Sequence, residues 1–325
     1  MLIEGEVAMI KVFDMTRLML VSSMLLLSGC DWIMEATMRV FMDPGPPVAV
    51  DGVEIIRDIE YSPTPLVLDL LRPAAHSDKL YPVVVYIHGG GFKHGSKNFI
   101  SKYDDHMLPL EGFAVVSINY TLSGEAPFPA QLRDVQRALQ WIRENADQYN
   151  LDADKVALIG YSAGGHLAAL TGVSSDWQVL SNDVVPRQKT DSLATVVAVV
   201  DYFGSIDALA GADNVFVTGK KWSDPDSMVA DFLGGPLFEK QDLAIKSNPV
   251  TYVTPDDPPV LMIHGDQDTS VPIRQSQIFY DALVAANVEA ELMVIEDGKH
   301  GYDGAFNDES HRQRKIEFLV EHLQP

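Results

Sequence analysis

From residue 53 onward, short apolar runs alternate with amphipathic stretches. Val83–Ile87, Ala114–Ile118, Val156–Ile159, Val196–Val200, Val260–Ile263 and Leu292–Ile295 are mostly apolar, rich in β-branched residues, and lack polar alternation. That pattern predicts strands covered on both faces. Two extended segments precede them, Val53–Tyr61 and Leu66–Leu71. They are separated by Ser62-Pro63-Thr64-Pro65 and read as an antiparallel pair at a sheet edge. Helical spacing appears at Leu132–Ala146, where Val135, Leu139 and Ile142 share a face after the breaks at Pro127 and Pro129. It recurs at Gly165–Leu170, Ser276–Ala286 and Gln313–Leu323. Strand–helix alternation predicts an α/β domain with a mostly parallel central sheet flanked by helices. Ser174–Ser192 and Gly204–Gly234 break the alternation. The second is expected to form a cap-like insertion, about 204–234, over the strand ends where open α/β sheets bind ligands.

The first thirty residues follow another logic. Leu18–Leu27 reads LMLVSSMLLL, ten residues where a membrane-spanning helix needs about 20. The length fits the apolar region of a signal peptide, and Lys11 and Arg17 supply positive charge before it. Ser28-Gly29-Cys30 follows and resembles a bacterial lipobox. The expected organisation is a lipoprotein signal peptide at 1–29, lipidation of Cys30, a tether at 30–50 and the α/β domain at 51–325. Glu4, Glu6 and Asp14 are out of place in such a leader, so synthesis is expected to begin at Met9 or Met15. The expected location is the bacterial cell envelope, with the membrane reached through the lipid alone.

Composition narrows the picture further. The 325 residues are 46% hydrophobic, enough for a large core. Acids outnumber bases 46 to 24, for a net charge of −22. Such a field repels phosphate backbones and argues against a nucleic-acid partner. Cys30 is the single cysteine, so neither an internal disulfide nor a cysteine-based zinc site can form. There is no H-E-x-x-H pattern, and neither a metal nor a cofactor is expected.

The chemistry concentrates in four places. The strand Val156–Ile159 runs into Gly160-Tyr161-Ser162-Ala163-Gly164, a G-x-S-x-G between strand and helix. A turn that sharp needs glycines and pushes the serine hydroxyl out of the sheet. His88-Gly89-Gly90-Gly91 follows another strand end and can bring unobstructed backbone N–H groups to a developing oxyanion. The nucleophile needs a base, and the base an orienting acid. His300, in a loop after the last strand, is the candidate base. His311 and His322 fall on the C-terminal helix and read as surface residues, while His88 and His264 end strands and shape loops. Asp268, after Val260–Ile263, is the candidate acid, with Asp266 and Asp201 as rivals.

Taken in order, HGGG, GYSAGGH, HGDQDTSVP and GKHGY resemble an α/β-hydrolase esterase. Tyr120–Asp134 is similar to a stretch of hormone-sensitive-lipase-like esterases, and closer to the bacterial branch of feruloyl and acetyl-xylan esterases. Thr121 departs from the arginine that many members carry there. The resemblance spans roughly Val53 to Leu323. It implies an α/β-hydrolase fold with Ser162, Asp268 and His300 as triad, and Gly90, Gly91 and Ala163 as oxyanion hole. The implied substrate is a small-molecule ester with a short or aromatic acyl group. An amidase or peptidase of the same fold, and a non-catalytic envelope lipoprotein, are the competing readings. Phe92, Tyr161, Trp177, Phe203, Phe216 and Trp222 could line a pocket or simply pack.

Overall fold

The computed structural model describes residues 45–324, apart from 76–78, 175–176, 181–182, 187–192, 217–218, 302–303 and 308. The expected signal peptide, the start sites, Cys30 and the side chain of Trp177 lie outside the described residues. The strands are β1 (Val53–Glu60), β2 (Val67–Pro73), β3 (Tyr81–Ile87), β4 (Ala114–Ile118), β5 (Leu151–Tyr161), β6 (Trp177–Leu180), β7 (Asp183–Pro186), β8 (Val196–Tyr202), β9 (Val260–Gly265) and β10 (Ala290–Ile295). The α-helices are α1 (Ala130–Tyr149), α2 (Ala163–Val173), α3 (Met228–Leu233), α4 (Gln241–Ser247), α5 (Arg274–Ala285) and α6 (Ser310–Leu323).

Eight strands form one sheet in the order β1-β2-β4-β3-β5-β8-β9-β10. The β1/β2 and β2/β4 pairs are antiparallel, and every pair from β4 to β10 is parallel. This is the α/β-hydrolase fold. Alternate residues divide the sheet into two buried faces. Val83, Val85, Leu158, Val199 and Met262 join one core cluster with Leu139 of α1 and Leu167 of α2. Tyr161 and Tyr202 face the other side, where Lys315 of α6 lies 5.6 Å from the Tyr202 ring centroid. Apolar burial on both faces explains why the central strands lack alternation in the sequence.

Two elements depart from the expected pattern. β5 starts at Leu151, five residues before the apolar run, because Tyr81 pairs with Leu151 and Pro82 with Asp152 before a register shift. Asp152, Asp154 and Lys155 hide that extension from a reading of hydrophobicity. The stretch from 174 to 192 holds β6 and β7, an antiparallel hairpin outside the main sheet. It therefore contributes no strand–helix unit.

The described residues of Gly204–Gly234 form turns and loops, with an isolated bridge between Val215 and Lys221, ending in the short α3. Trp222 is wholly buried in it, and the ring stacks on Phe216 at 5.3 Å. The segment is tied down at several points. Asp207 N–H donates to the Gln275 side chain at 2.6 Å, and Gln275 Nε2 returns a bond to Asp207 O at 3.2 Å. Trp222 Nε1 donates to Ser270 O at 3.3 Å, and Lys93 Nζ meets Asp231 at 2.8 Å. Among the described residues, no helix is long and apolar enough to cross a membrane.

Candidate active site

β5 ends at Tyr161, α2 begins at Ala163, and Ser162 sits between them at φ 55°, ψ −115°. That conformation is costly for a residue with a Cβ, and the surroundings must impose it. Glycines allow the approach. A Cβ on Gly160 would lie 2.0 Å from Gly164 O, and one on Gly164 would lie 2.0 Å from Ile87 O. The backbone is then pinned, because Ser162 N–H donates to Tyr202 O at 2.8 Å and His166 N–H to Ser162 O at 3.0 Å. Both clashes at Gly164 are with backbone, so the elbow cannot relax by moving a side chain. Gly164→Ala is expected to cost about 3 kcal/mol, seen as a lower urea midpoint at unchanged slope.

The three residues named from the sequence meet in space. Ser162 Oγ lies 2.9 Å from His300 Nε2, and His300 Nδ1 lies 2.6 Å from Asp268 Oδ2. A carboxylate oxygen only accepts, so Nδ1 carries the proton and Nε2 is left to accept from the serine. Asp268 Oδ1 accepts the N–H groups of Ser270 and Val271, each at 2.9 Å. Burial pushes the Asp268 carboxyl up, but hydrogen bonds from His264 and His300, the His300 charge and the Val271 N–H outweigh it and bring it down to about 2. Asp268 therefore stays ionised. Asp266 is exposed and lies outside this line.

Sequence reasoning assigned His264 only to loop shaping, and it does more. Its Nε2 donates to Val271 O at 2.7 Å and lies 3.4 Å from Asp268 Oδ2, while Nδ1 pairs with Ser276 Oγ at 2.7 Å. The four-residue interval from strand end to acid was the available signal. His311 corrects an expectation: it is buried, not on the surface. The helix turns it inward, where Nδ1 meets Tyr202 Oη at 3.2 Å and Nε2 donates to Phe306 O at 2.8 Å.

The glycine loop reaches the elbow from β3. Gly90 and Gly91 have φ of 122° and 61°, and Gly90 O accepts the N–H groups of Lys93 and His94 at 3.1 and 3.0 Å. Gly91 lies against Met228, whose sulfur would be 2.2 Å from an added Cβ. His88 holds the loop from below. Its ring stacks on Tyr120 at 4.2 Å, and its Nδ1 donates to Gly89 O at 2.8 Å. Burial lowers the His88 pKa to about 4, so the ring is neutral. Among the described residues, the N–H groups of Gly90, Gly91 and Ala163 donate to no protein acceptor. Phe92 stacks on Phe232 at 3.9 Å and meets His166 edge-on at 5.3 Å. Phe92, Tyr161, Phe203 and Trp222 are thus buried packing residues.

Asp201, the other rival acid, is fully buried at the end of β8. Its Oδ1 accepts Gly204 N–H at 2.9 Å, and its Oδ2 has no hydrogen-bond partner among the described residues. Burial pushes its pKa up to about 7, against the lowering effects of His264 and the Gly204 N–H. The unfolded carboxyl titrates near 3.9, so the folded state holds its proton longer. Stability from this group is complete below about pH 4 and lost as pH rises toward 7. Asp201→Asn is expected to match the wild type near pH 4 and exceed it by a few kcal/mol at pH 8 in urea titrations.

The chain matches the BD-FAE family model over residues 68–283, which takes in Gly90, Gly91, Ser162 and Asp268. His300 lies beyond the match, so its place rests on geometry. Esterase LipQ of Mycobacterium tuberculosis (strain ATCC 25618 / H37Rv) is 32% identical over 252 residues, covering 76% of this chain and 57% of LipQ. The chain spans about half the length of the curated relatives it matches. A truncated form of a carbohydrate esterase from gut microbiota has a TM-score of 0.74 and 28% identity, covering 86% of this chain and 100% of that one. A bifunctional GH43-CE protein of Bacteroides eggerthii has a TM-score of 0.71 and 32% identity, covering 82% of this chain and 38% of that one. On the extent of the family match, joined to the eight-stranded sheet and its serine elbow, the chain belongs to the BD-FAE family of the α/β-hydrolase fold.

Proposed function

We propose that this chain is a serine carboxylic-ester hydrolase acting on short-chain or aromatic acyl esters. One observation carries the reading. Ser162, His300 and Asp268 form a continuous hydrogen-bonded line, and the undonated amides of Gly90, Gly91 and Ala163 belong to the glycine loop and to the first residue of α2. Ser162 Oγ attacks the ester carbonyl carbon while His300 Nε2 takes the hydroxyl proton. Asp268 keeps the imidazole oriented and stabilises the imidazolium. The three amides receive the oxyanion, where preorganised donors are worth most. Collapse expels the alcohol, which takes the proton from His300. A water activated by His300 then hydrolyses the acyl-enzyme. The names of the carbohydrate esterase and LipQ support esters over amides.

The test is covalent labelling. A fluorophosphonate should modify one residue, Ser162, with loss of p-nitrophenyl acetate hydrolysis in step. Label on another residue, or activity that survives full labelling, overturns the reading. An ester series of acetyl, butyryl, octanoyl and feruloyl groups should show octanoyl slowest. For the N-terminal segment we propose lipid attachment at Cys30. Cys30→Ser should abolish incorporation of labelled fatty acid and leave hydrolysis intact.

A further inference from the structure

A fully buried ion pair lies beneath the elbow and takes no part in the mechanism above. Lys315 of α6 donates from Nζ to Asp105 Oδ1, and both side chains are almost completely excluded from solvent. Asp105 opens the short 3-10 segment Asp105–Glu111, 210 positions away along the chain. The remaining oxygen of Asp105 accepts the hydroxyl of Tyr161 at 2.8 Å. Tyr161 is the residue immediately before Ser162. Its ring stacks on Tyr202 at 4.4 Å and 17°, and Tyr202 O is the acceptor that pins Ser162 N–H. Both backbone neighbours of the strained serine nitrogen are therefore held by one buried cluster.

The cluster also reaches the base. Tyr202 Oη meets His311, His311 donates to Phe306 O, and Phe306 packs on Phe203 at 5.7 Å. Phe203 then meets the His300 ring at 5.0 Å. Buried ion pairs gain little stability over apolar residues of similar volume. Stability alone therefore gives a weak account of Lys315 and Asp105. A satisfied polar network does, however, fix one geometry where apolar packing tolerates several. Ser162 needs such fixing, since its backbone is held away from relaxed values.

We propose that Tyr161, anchored by the Asp105–Lys315 pair, is a positioning residue that holds the Ser162 elbow in its reactive conformation. The proposal rests on Ser162 being the nucleophile. Tyr161→Phe removes only the hydroxyl and leaves the ion pair and ring stack in place. It is expected to lower kcat for p-nitrophenyl acetate about 10-fold with KM nearly unchanged, and to lower the urea midpoint, because a buried Asp105 oxygen loses its donor. The rate of fluorophosphonate capture at Ser162 should fall by the same factor, because that reaction reports nucleophile reactivity without deacylation.

Two double variants separate the anchor from the charges. Asp105→Asn/Lys315→Met keeps an acceptor for Tyr161 and should retain more of kcat than Asp105→Leu/Lys315→Met, which removes it. Wild-type capture rates in Tyr161→Phe, or equal losses in both doubles, overturn the positioning role. If Tyr161→Phe does not fold, the difference between the doubles decides. Absence of label at Ser162 in the wild type would instead remove the underlying assignment.

Discussion

Ser162→Ala is expected to lower kcat for p-nitrophenyl acetate by roughly 10^5–10^6-fold. Only Oγ is deleted, and it is the atom 2.9 Å from His300 Nε2. Backbone strain does not confound the result, because alanine at φ 55° meets the same hindrance at Cβ as serine. The Tyr202 O contact and the helix start are both made by backbone and persist. His300 remains tied to Asp268, so water can still be polarised at the site. The oxyanion amides also remain, and they leave a small rate above background. The check is steady-state kinetics on protein whose circular dichroism and urea midpoint match the wild type. Activity within 10-fold of the wild type would exclude Ser162 as the nucleophile.

Much of this site was legible because its constraints are local. An elbow that brings Gly160 and Gly164 into backbone contact leaves G-x-S-x-G in the sequence, and a loop that must turn at positive φ leaves Gly90-Gly91. Apolar runs marked the central strands because both faces of the sheet are buried. What stayed hidden depends on distance along the chain. His311 and Lys315 carry polar side chains on an amphipathic helix, which in sequence reads as a solvated face. Only the fold turns them toward Tyr202 and Asp105. The first half of β5 was hidden for the opposite reason, since its charged residues mask a pairing fixed by Tyr81 and Pro82.

The insertion 204–234 illustrates the same limit. Its lack of strand–helix periodicity marked it as separate, but periodicity cannot reveal what it touches. Its contacts run to the loop of Asp268, to the glycine loop and to the helix after Ser162. Trp222 reaches Ser270 two residues past the acid, and Met228 and Asp231 reach Gly91 and Lys93 of the glycine loop. Ser205 O receives His166 from the helix behind the serine. We propose a capping role for this segment on those contacts.

Asp268→Asn is expected to cost about 10^4-fold in kcat near neutral pH, for a reason that concerns protons more than charge. The two amides of Ser270 and Val271 both donate to Oδ1. In the variant they select the carbonyl oxygen of asparagine for that place, which leaves the NH2 group facing His300 Nδ1. Two donors cannot share the bond, so Nδ1 gives up its proton and the neutral ring carries hydrogen on Nε2. Nε2 then points a donor at Ser162 and cannot take its proton. The fold should survive, but with lower stability at neutral pH. The native carboxyl sits at about 2, below its unfolded value near 3.9, so it stabilises the wild type above about pH 4. That advantage disappears as pH falls toward 2, where variant and wild type should converge in denaturation midpoint. Rate and stability thus answer separate questions. Converging midpoints with a preserved rate would mean that Asp268 holds its loop but does not orient the base, whereas loss of both at neutral pH is the outcome its two oxygens predict.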